Sequence, residues 1–264
     1  VASSVGAKPY VIQAAKKAIG DHLKRVGLDG EALDSVVPSM YRLKYEIKGE
    51  PLISILIPNK DHVSDLRKCI VSIQEKTSYP NYEIIVIENN SEEEKTFQYY
   101  QLLEKRRNIR VVCWNGKFNY SAINNFGYTF AKGEYILLLN NDTEVISADW
   151  LQEMLMYAQR GDVGAVGAKL YYPDNTVQHG GVVLGVGGVA AHLHCNRQKE
   201  DPGYMGRLIY AQDLTAVTAA CMMLPRKVWE ETGGLDESFE VAFNDVDLCM
   251  RIRQKGYLIV FTPY

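Results

Sequence analysis

The sequence predicts an α/β fold, a doubly wound, Rossmann-like, mostly parallel sheet flanked by helices. Three observations lead there. From Pro51 onward, short apolar runs alternate with stretches of helical period, the rhythm of repeated β-α-β units with right-handed crossovers. The runs at 52–57, apolar but for Ser54, and at 135–139 lack polar alternation, as expected for strands buried on both faces. Each of three runs then ends in a polar cluster, at the edge where such sheets bind ligands.

The elements follow in order. Residues 1–50 form an N-terminal helical extension or linker, and residues 51–264 form the main domain. In the extension, Pro9 opens a helix that carries Val11, Ala15, Ile19, Leu23 and Val26 on one face and ends by Gly27 and Gly30. A weak second helix is expected near 31–36, and an edge strand at 42–47. In the main domain, strands are expected at 52–57, 83–87, 109–113 and 135–139. Helices at 62–76, 91–106 and 120–132 connect them. Beyond residue 160 the pattern loosens: a strand at 162–170, a Gly- and His-rich segment at 177–196, a buried strand at 214–224, a helix at 225–232, a helix at 244–255 stopped by Gly256, and a strand at 257–261.

Composition narrows the function. The 264 residues are 47% hydrophobic, enough for one large core with an appendage. Lys plus Arg number 29 against 32 Asp plus Glu, a net charge of −3, which excludes a polybasic nucleic-acid arm. Basic and aromatic residues interleave only at 106–128, too short a stretch to indicate nucleic acid. No run approaches the roughly 18 apolar residues of a membrane span. The five scattered cysteines fit reduced thiols of a cytoplasmic protein, with Cys69, Cys113, Cys221 and Cys249 as small core residues. The first residues lack a signal-peptide layout and an initiator Met, as in a piece of a longer polypeptide.

The polar clusters carry the chemistry. Pro58-Asn59-Lys60-Asp61, Glu88-Asn89-Asn90-Ser91 and Asn140-Asn141-Asp142-Thr143 follow three strands and should converge on one edge. Asp142, a carboxylate just past a strand end and flanked by amides, can hold Mg²⁺ or Mn²⁺ against a diphosphate, or simply sit in a polar turn. Asn244-Asp245-Val246-Asp247 opens the last helix. Asn244 is placed as N-cap, and Asp247 pairs with Arg251 one turn on. Asp245 is then either a helix-dipole partner or a general base at the helix mouth. Two other patterns are set aside. Gly185-Val186-Gly187-Gly188-Val189-Ala190 matches GxGxxA but precedes a poor helix. His179, His192, His194 and Cys195 lack the fixed geometry of a zinc site and read as loop residues.

Five motifs in order, SILIPNKD (54–61), YEIIVIENNS (82–91), FNYSAINNFGYTFAKGEYILLLNNDTEV (118–145), TAACMMLPRKVWEETGGLDESF (218–239) and NDVDLCMRIRQKGY (244–257), resemble the inverting nucleotide-sugar glycosyltransferases of family 2, with the GT-A fold. The resemblance is closest to bacterial enzymes of surface-polysaccharide synthesis. Their catalytic modules often follow a stretch like KPYVIQAAKKAIGDHLKRVGL, and they continue past the last strand seen here, implying a C-terminally truncated catalytic domain at 51–264.

The resemblance implies a metal-dependent hexosyl- or deoxyhexosyltransferase. It would move a sugar from a UDP- or dTDP-linked donor to a glycan or lipid-linked acceptor. Pro58, Asn59, Asp61, Glu88, Asn89, Asn124, Asn140 and Asn141 fall in the nucleotide-sugar site. Asp142 falls on the metal position of a DxD-like motif, and Asp245 on the catalytic aspartate. Thr218, Asn244, Asp247 and Arg251 fall in acceptor or supporting positions. The sequence departs at Asn140, Asn89 and Asn244, where acids are common. The implied location is cytoplasmic, with contact to the inner membrane face supplied by regions outside this chain. Two other functions compete: a catalytically silent nucleotide-sugar or glycan-binding module, and a nucleotidyltransferase. The latter would carry a basic Gly-rich loop where this chain has Pro-Asn-Lys-Asp.

Overall fold

The computed structural model describes residues 10–264, so the helix start expected at Pro9 lies outside the described residues. Helix α1 (Tyr10–Arg25) leads into a hairpin of β1 (Gly30–Asp34) and β2 (Tyr41–Tyr45). The helix expected at 31–36 is therefore a strand. So short a segment cannot offset the cost of helix nucleation, whereas pairing Glu31 with Lys44 and Leu33 with Arg42 satisfies the backbone directly.

The main domain then alternates as expected: β3 (Ile53–Asn59), α2 (Val63–Lys76), β4 (Tyr82–Glu88), α3 (Glu94–Leu103), β5 (Ile109–Cys113), α4 (Tyr120–Tyr128) and β6 (Tyr135–Leu139). Next come α5 (Trp150–Ala158), β7 (Val163–Ala168) and two small two-stranded sheets, β8 (Leu170–Tyr171) with β9 (Val177–His179) and β10 (Val182–Leu184) with β11 (Ala190–His192). The chain finishes with β12 (Gln212–Leu214), β13 (Cys221–Pro225), α6 (Arg226–Thr232), α7 (Asn244–Gln254) and β14 (Leu258–Thr262).

The central sheet has eight strands in the order β12-β14-β7-β13-β6-β3-β4-β5. β6, β3, β4 and β5 are parallel, while β13 runs antiparallel between β6 and β7. The single strand expected at 214–224 is thus two strands. β12 lies on the outer edge against β14 and β13 lies three places inward, so residues 215–220 must cross the ends of β14 and β7 between them.

Alternating side chains feed two cores. Ile53, Ile55 and Ile57 of β3 pack with Leu66, Ile70 and Ile73 of α2 and with α3 and α5 on one face. Leu56, Ile85 and Ile87 pack with Ile123 of α4, Trp229 of α6 and Leu248, Cys249 and Ile252 of α7 on the other. Cys69, Cys221 and Cys249 are buried as expected, but Cys113, at the end of edge strand β5, is exposed. The extension contributes Leu23 and Tyr45 to the first core, and its Arg42 forms an ion pair with the buried Glu153 of α5. No helix among the described residues is long and apolar enough to cross a membrane.

Candidate active site

The sheet geometry brings the polar clusters together. β3, β4 and β6 end on one edge, and because β13 is antiparallel its preceding residues, Thr218, Ala219 and Ala220, arrive at that same edge. The amide of Asn140 donates to the carbonyl of Ala220 at 3.1 Å, joining the two segments. The start of α7 supplies the remaining wall. The result is a cleft of about 340 Å³. Pro58, Asn59, Lys60 and Asn89 line it from the first two strands, Asn140, Asn141 and Asp142 from β6, and Thr218, Asn244 and Asp245 from the later segments.

The amides act as braces. Buried Asn59 accepts a hydrogen bond from Asn141 Nδ2 at 2.6 Å and donates to Tyr100 Oη at 2.7 Å, fixing the first loop against the third. Asn89 donates to the carbonyls of Trp114 (3.3 Å) and Gly116 (3.1 Å), tying β4 to the segment after β5. Asp142 is exposed and makes no hydrogen bond or ion pair among the described residues. Asp245 is held at both oxygens: Oδ2 accepts from the Ala219 amide at 3.1 Å and Oδ1 from the Val246 amide at 2.8 Å.

Four expected residues stand away from the cleft wall, and a fifth is buried behind it. Asp61 spends its carboxylate on the amides of Glu92 and Glu93 at the start of α3. Burial pushes Asp61 up, but those amides outweigh it and hold the group below the usual carboxylate range. Glu88 is buried and accepts from Tyr100 Oη at 2.6 Å and from Ser91. Burial, reinforced by Glu88 as acceptor, pushes the Tyr100 phenol up, so it remains a donor. Asp247 and Arg251 pair at 2.7 Å, and Arg251 also donates to the carbonyls of Thr232 and Gly234, anchoring the end of α6. Asn124 is buried, donates to the Tyr120 carbonyl, and leaves its Oδ1 without a partner. Asn244 is not the N-cap. Phe243 holds that position in a left-handed conformation, and Asn244 is the buried first residue of α7, accepting from the Asp245 amide at 2.8 Å.

The cleft also contains residues the sequence reading did not single out. Lys60 is the one lysine or arginine on its wall. Tyr120 donates to the Ala219 carbonyl at 3.3 Å, and burial followed by the charge of Asp245 pushes its phenol up. Both lie within the quoted motifs, but only spatial closure distinguishes them from their neighbours. Gly185 to Val189 form the turn of the β10–β11 hairpin and Ala190 opens β11 with no helix there, so the GxGxxA pattern is not a dinucleotide site. Among the described residues no group of three or more His, Cys, Asp or Glu could hold a metal by itself.

The central, mostly parallel sheet flanked by helices is that of a GT-A domain. Two solved structures share its fold. A mannosyltransferase from Pyrobaculum calidifontis, solved with GDP-Man and Mn²⁺, is 14% identical, with a TM-score of 0.62 over 82% of this chain and 56% of its own. GalNAc-T7, solved with UDP, GalNAc and Mn²⁺, is 15% identical, with a TM-score of 0.66 over 88% of this chain and 46% of its own. The sequence profile of Glycosyl transferase family 2 matches residues 54–233, and the chain belongs to that family. It is 41% identical over 254 residues to the O-antigen biosynthesis protein RfbC of Myxococcus xanthus, covering 95% of this chain and 20% of that protein. The chain spans less than a third of the length of its relatives at 41% and 45% identity.

Proposed function

We propose that residues 51–264 form the catalytic domain of an inverting glycosyltransferase that moves a sugar from a UDP- or dTDP-linked donor to a growing surface glycan on the cytoplasmic side of the membrane. The observation that carries this reading is that Asp142 and Asp245 line one cleft together with Pro58, Asn59 and Asn89. The name of the Myxococcus xanthus relative adds the polysaccharide context, and the similar structures hold a nucleotide or nucleotide sugar with Mn²⁺.

Charge balance supports a divalent cation. The cleft wall offers one lysine against two carboxylates, and a donor diphosphate adds further negative charge. The donor set suits Mn²⁺ or Mg²⁺ bound by Asp142, with amide oxygen from Asn140 or Asn141 nearby, because such ions take one or two protein carboxylates and complete their shell with phosphate oxygens. When bound, the ion would neutralise charge developing on the leaving diphosphate.

This chain's residues do the rest. Asn59, braced by Asn141 and Tyr100, and Asn89, braced by the Trp114 and Gly116 carbonyls, form a rigid seat for base and ribose. Asp61 and Glu88 support that seat through α3, Ser91 and Tyr100 instead of touching the donor. Asp245, with each oxygen held by one amide, keeps a lone pair free to accept the proton of the attacking hydroxyl.

Calorimetry with UDP, dTDP and GDP, with and without Mn²⁺, tests this. Uridine or thymidine diphosphate is expected to bind with Mn²⁺, and Asp142→Ala should weaken that binding at least about tenfold while Tm is unchanged. Folded protein that binds none of the three nucleotides would leave only a silent module.

A further inference from the structure

We propose that His192 presents its Nε2–H to the acceptor sugar beside Asp245, in an orientation and tautomer imposed by the buried His179. This rests on the glycosyl-transfer reading above and adds an acceptor-holding residue to it.

The placement begins with a glycine. Gly181 sits at φ +98, and a Cβ there would run into the side chain of Leu214, so only glycine permits the sharp turn between β9 and β10. The hairpin then doubles back, placing His192 opposite Val182, with the Leu193 amide donating to the Gly181 carbonyl at 2.8 Å. His192 is thereby returned onto His179. Their Nδ1 atoms are 2.9 Å apart and their rings meet edge to face at 84°.

The proton positions follow from the neighbours. His179 is fully buried, and burial, followed by the nearby His192, pushes it down to about 3. It is therefore neutral at any pH where the protein works. The Thr218 amide points at its Nε2 at 3.5 Å, and an amide N–H can only donate, so Nε2 is the acceptor and the single ring proton is on Nδ1. That proton goes to His192 Nδ1. His192, also held down by burial, must then carry its own proton on Nε2, on the far side of its ring from His179.

The exposed His192 makes no other hydrogen bond among the described residues. The same short segment connects it to the cleft: Thr218 donates to His179, and the next residue, Ala219, donates to Asp245. Both line the cleft, and Asp245 is the charged group whose field reaches the His192 imidazole. A neutral N–H there suits a sugar hydroxyl oxygen. His192 holds the oxygen by its lone pair and no proton is transferred to it. Asp245 therefore receives the hydroxyl proton as the new C–O bond forms and the anomeric carbon's bond to the diphosphate oxygen breaks, the nucleoside diphosphate leaving with that electron pair. His179 touches no substrate and is a positioning residue. Its Thr218 contact ties the dyad to a residue of the cleft wall, a link that an ordinary loop histidine would not have.

Long-range ¹H–¹⁵N spectra of the ¹⁵N-histidine-labelled protein, assigned with single variants, test the dyad directly. His179 is expected as the Nδ1–H tautomer and His192 as Nε2–H, and His179→Asn should relax His192 to a mixture. A His192 found as Nδ1–H, or indifferent to His179→Asn, overturns the proposal. Addition of UDP with Mg²⁺, followed at the Asn89 and Ala219 amides, reports separately on the nucleotide site, so failure of that reading is distinguishable. In UDP release from UDP-sugars stimulated by a panel of methyl hexosides, His192→Ala should raise the hexoside KM at least tenfold and leave UDP affinity within twofold. His192→Asn should recover part of the loss through its Nδ2–H. An unchanged hexoside KM, or an equal loss of UDP affinity, also overturns it.

Discussion

Asp245 and Asp247 stand two residues apart at the start of α7 and face different surroundings. Asp245 lines the cleft with its oxygens held by amides, whereas Asp247 is tied to Arg251, which in turn holds the Thr232 and Gly234 carbonyls. Asp245→Asn is expected to lower turnover by about 10² to 10⁴ with donor affinity intact, the usual range for a general base. Asp247→Asn should instead leave turnover within a few-fold and cost about 1–3 kcal/mol of stability, the worth of hydrogen bonds to a charged group. Turnover assays beside denaturant melts separate the two, and the reverse pattern would exchange their roles. His179 gives a pH prediction at the same scale. Its folded value, about 3, lies below the usual 6.5, so between those limits the unfolded chain binds the proton that the folded chain refuses. Stability is full above about pH 6.5 and falls as pH drops toward 3, by up to about 1.4 kcal/mol per pH unit from this group. His179→Gln should flatten that part of a stability–pH profile, and an unaltered slope would contradict it. Asp142, Asp245 and the amides Asn59 and Asn89 were legible in the sequence because each follows a strand or opens a helix, where the sheet rule directs attention. Lys60 falls in the same strand-end cluster but is given no role there, and Tyr120 is not legible, because nothing in its local pattern separates a cleft wall from an ordinary helix face. The sequence also shows that Asp61 and Glu88 lie near the site, but not that α3, Ser91 and Tyr100 already occupy their carboxylates.

At the scale of elements, the parallel strands were legible and the connections much less so. The runs of β3 and β6 are apolar on both faces and therefore stand out, as do α2 and α7 with their periodic stripes. Helix α5 passes unnoticed in the sequence because WLQEMLMYA is buried along almost its whole surface, including Glu153, and so shows no polar face. The hairpin β1–β2 and the split between β12 and β13 depend on partners far along the chain, which local propensity does not record. One close approach between elements is readable afterwards in β7, VGAVGA. A Cβ on Gly164 would clash with the Ile252 side chain of α7 and lie 2.7 Å from Tyr257 Cβ, so the glycine sets how tightly α7 rests on the sheet. Gly164→Ala is expected to destabilise by about 1–3 kcal/mol through overpacking. Since α7 carries Asp245, it should also lower turnover. A melt within 0.5 kcal/mol of the parent would show that α7 can yield.

For the whole molecule, the extension and the main domain share one core, through Leu23, Tyr45 and the Arg42–Glu153 pair, so α5 is covered from outside as well as by the sheet. The position of β13 has a consequence for how the molecule comes into being. The buried strand β6 has its inner edge occupied by β3 early, but its other edge waits for β13, and Leu139 meets Cys221 only after α5, β7 and both small hairpins have been made. Closing so long a loop is entropically slow and leaves the apolar edge of β6 exposed to other chains in the meantime. Helical signal in refolding should therefore return before Mn²⁺-dependent UDP binding, which should appear only in the slowest phase, with aggregation confined to the interval between them. Simultaneous recovery of both signals would contradict this order. The strand whose leading residues, Thr218 to Ala220, wall the cleft is thus expected to make the cleft the last part of the protein to form.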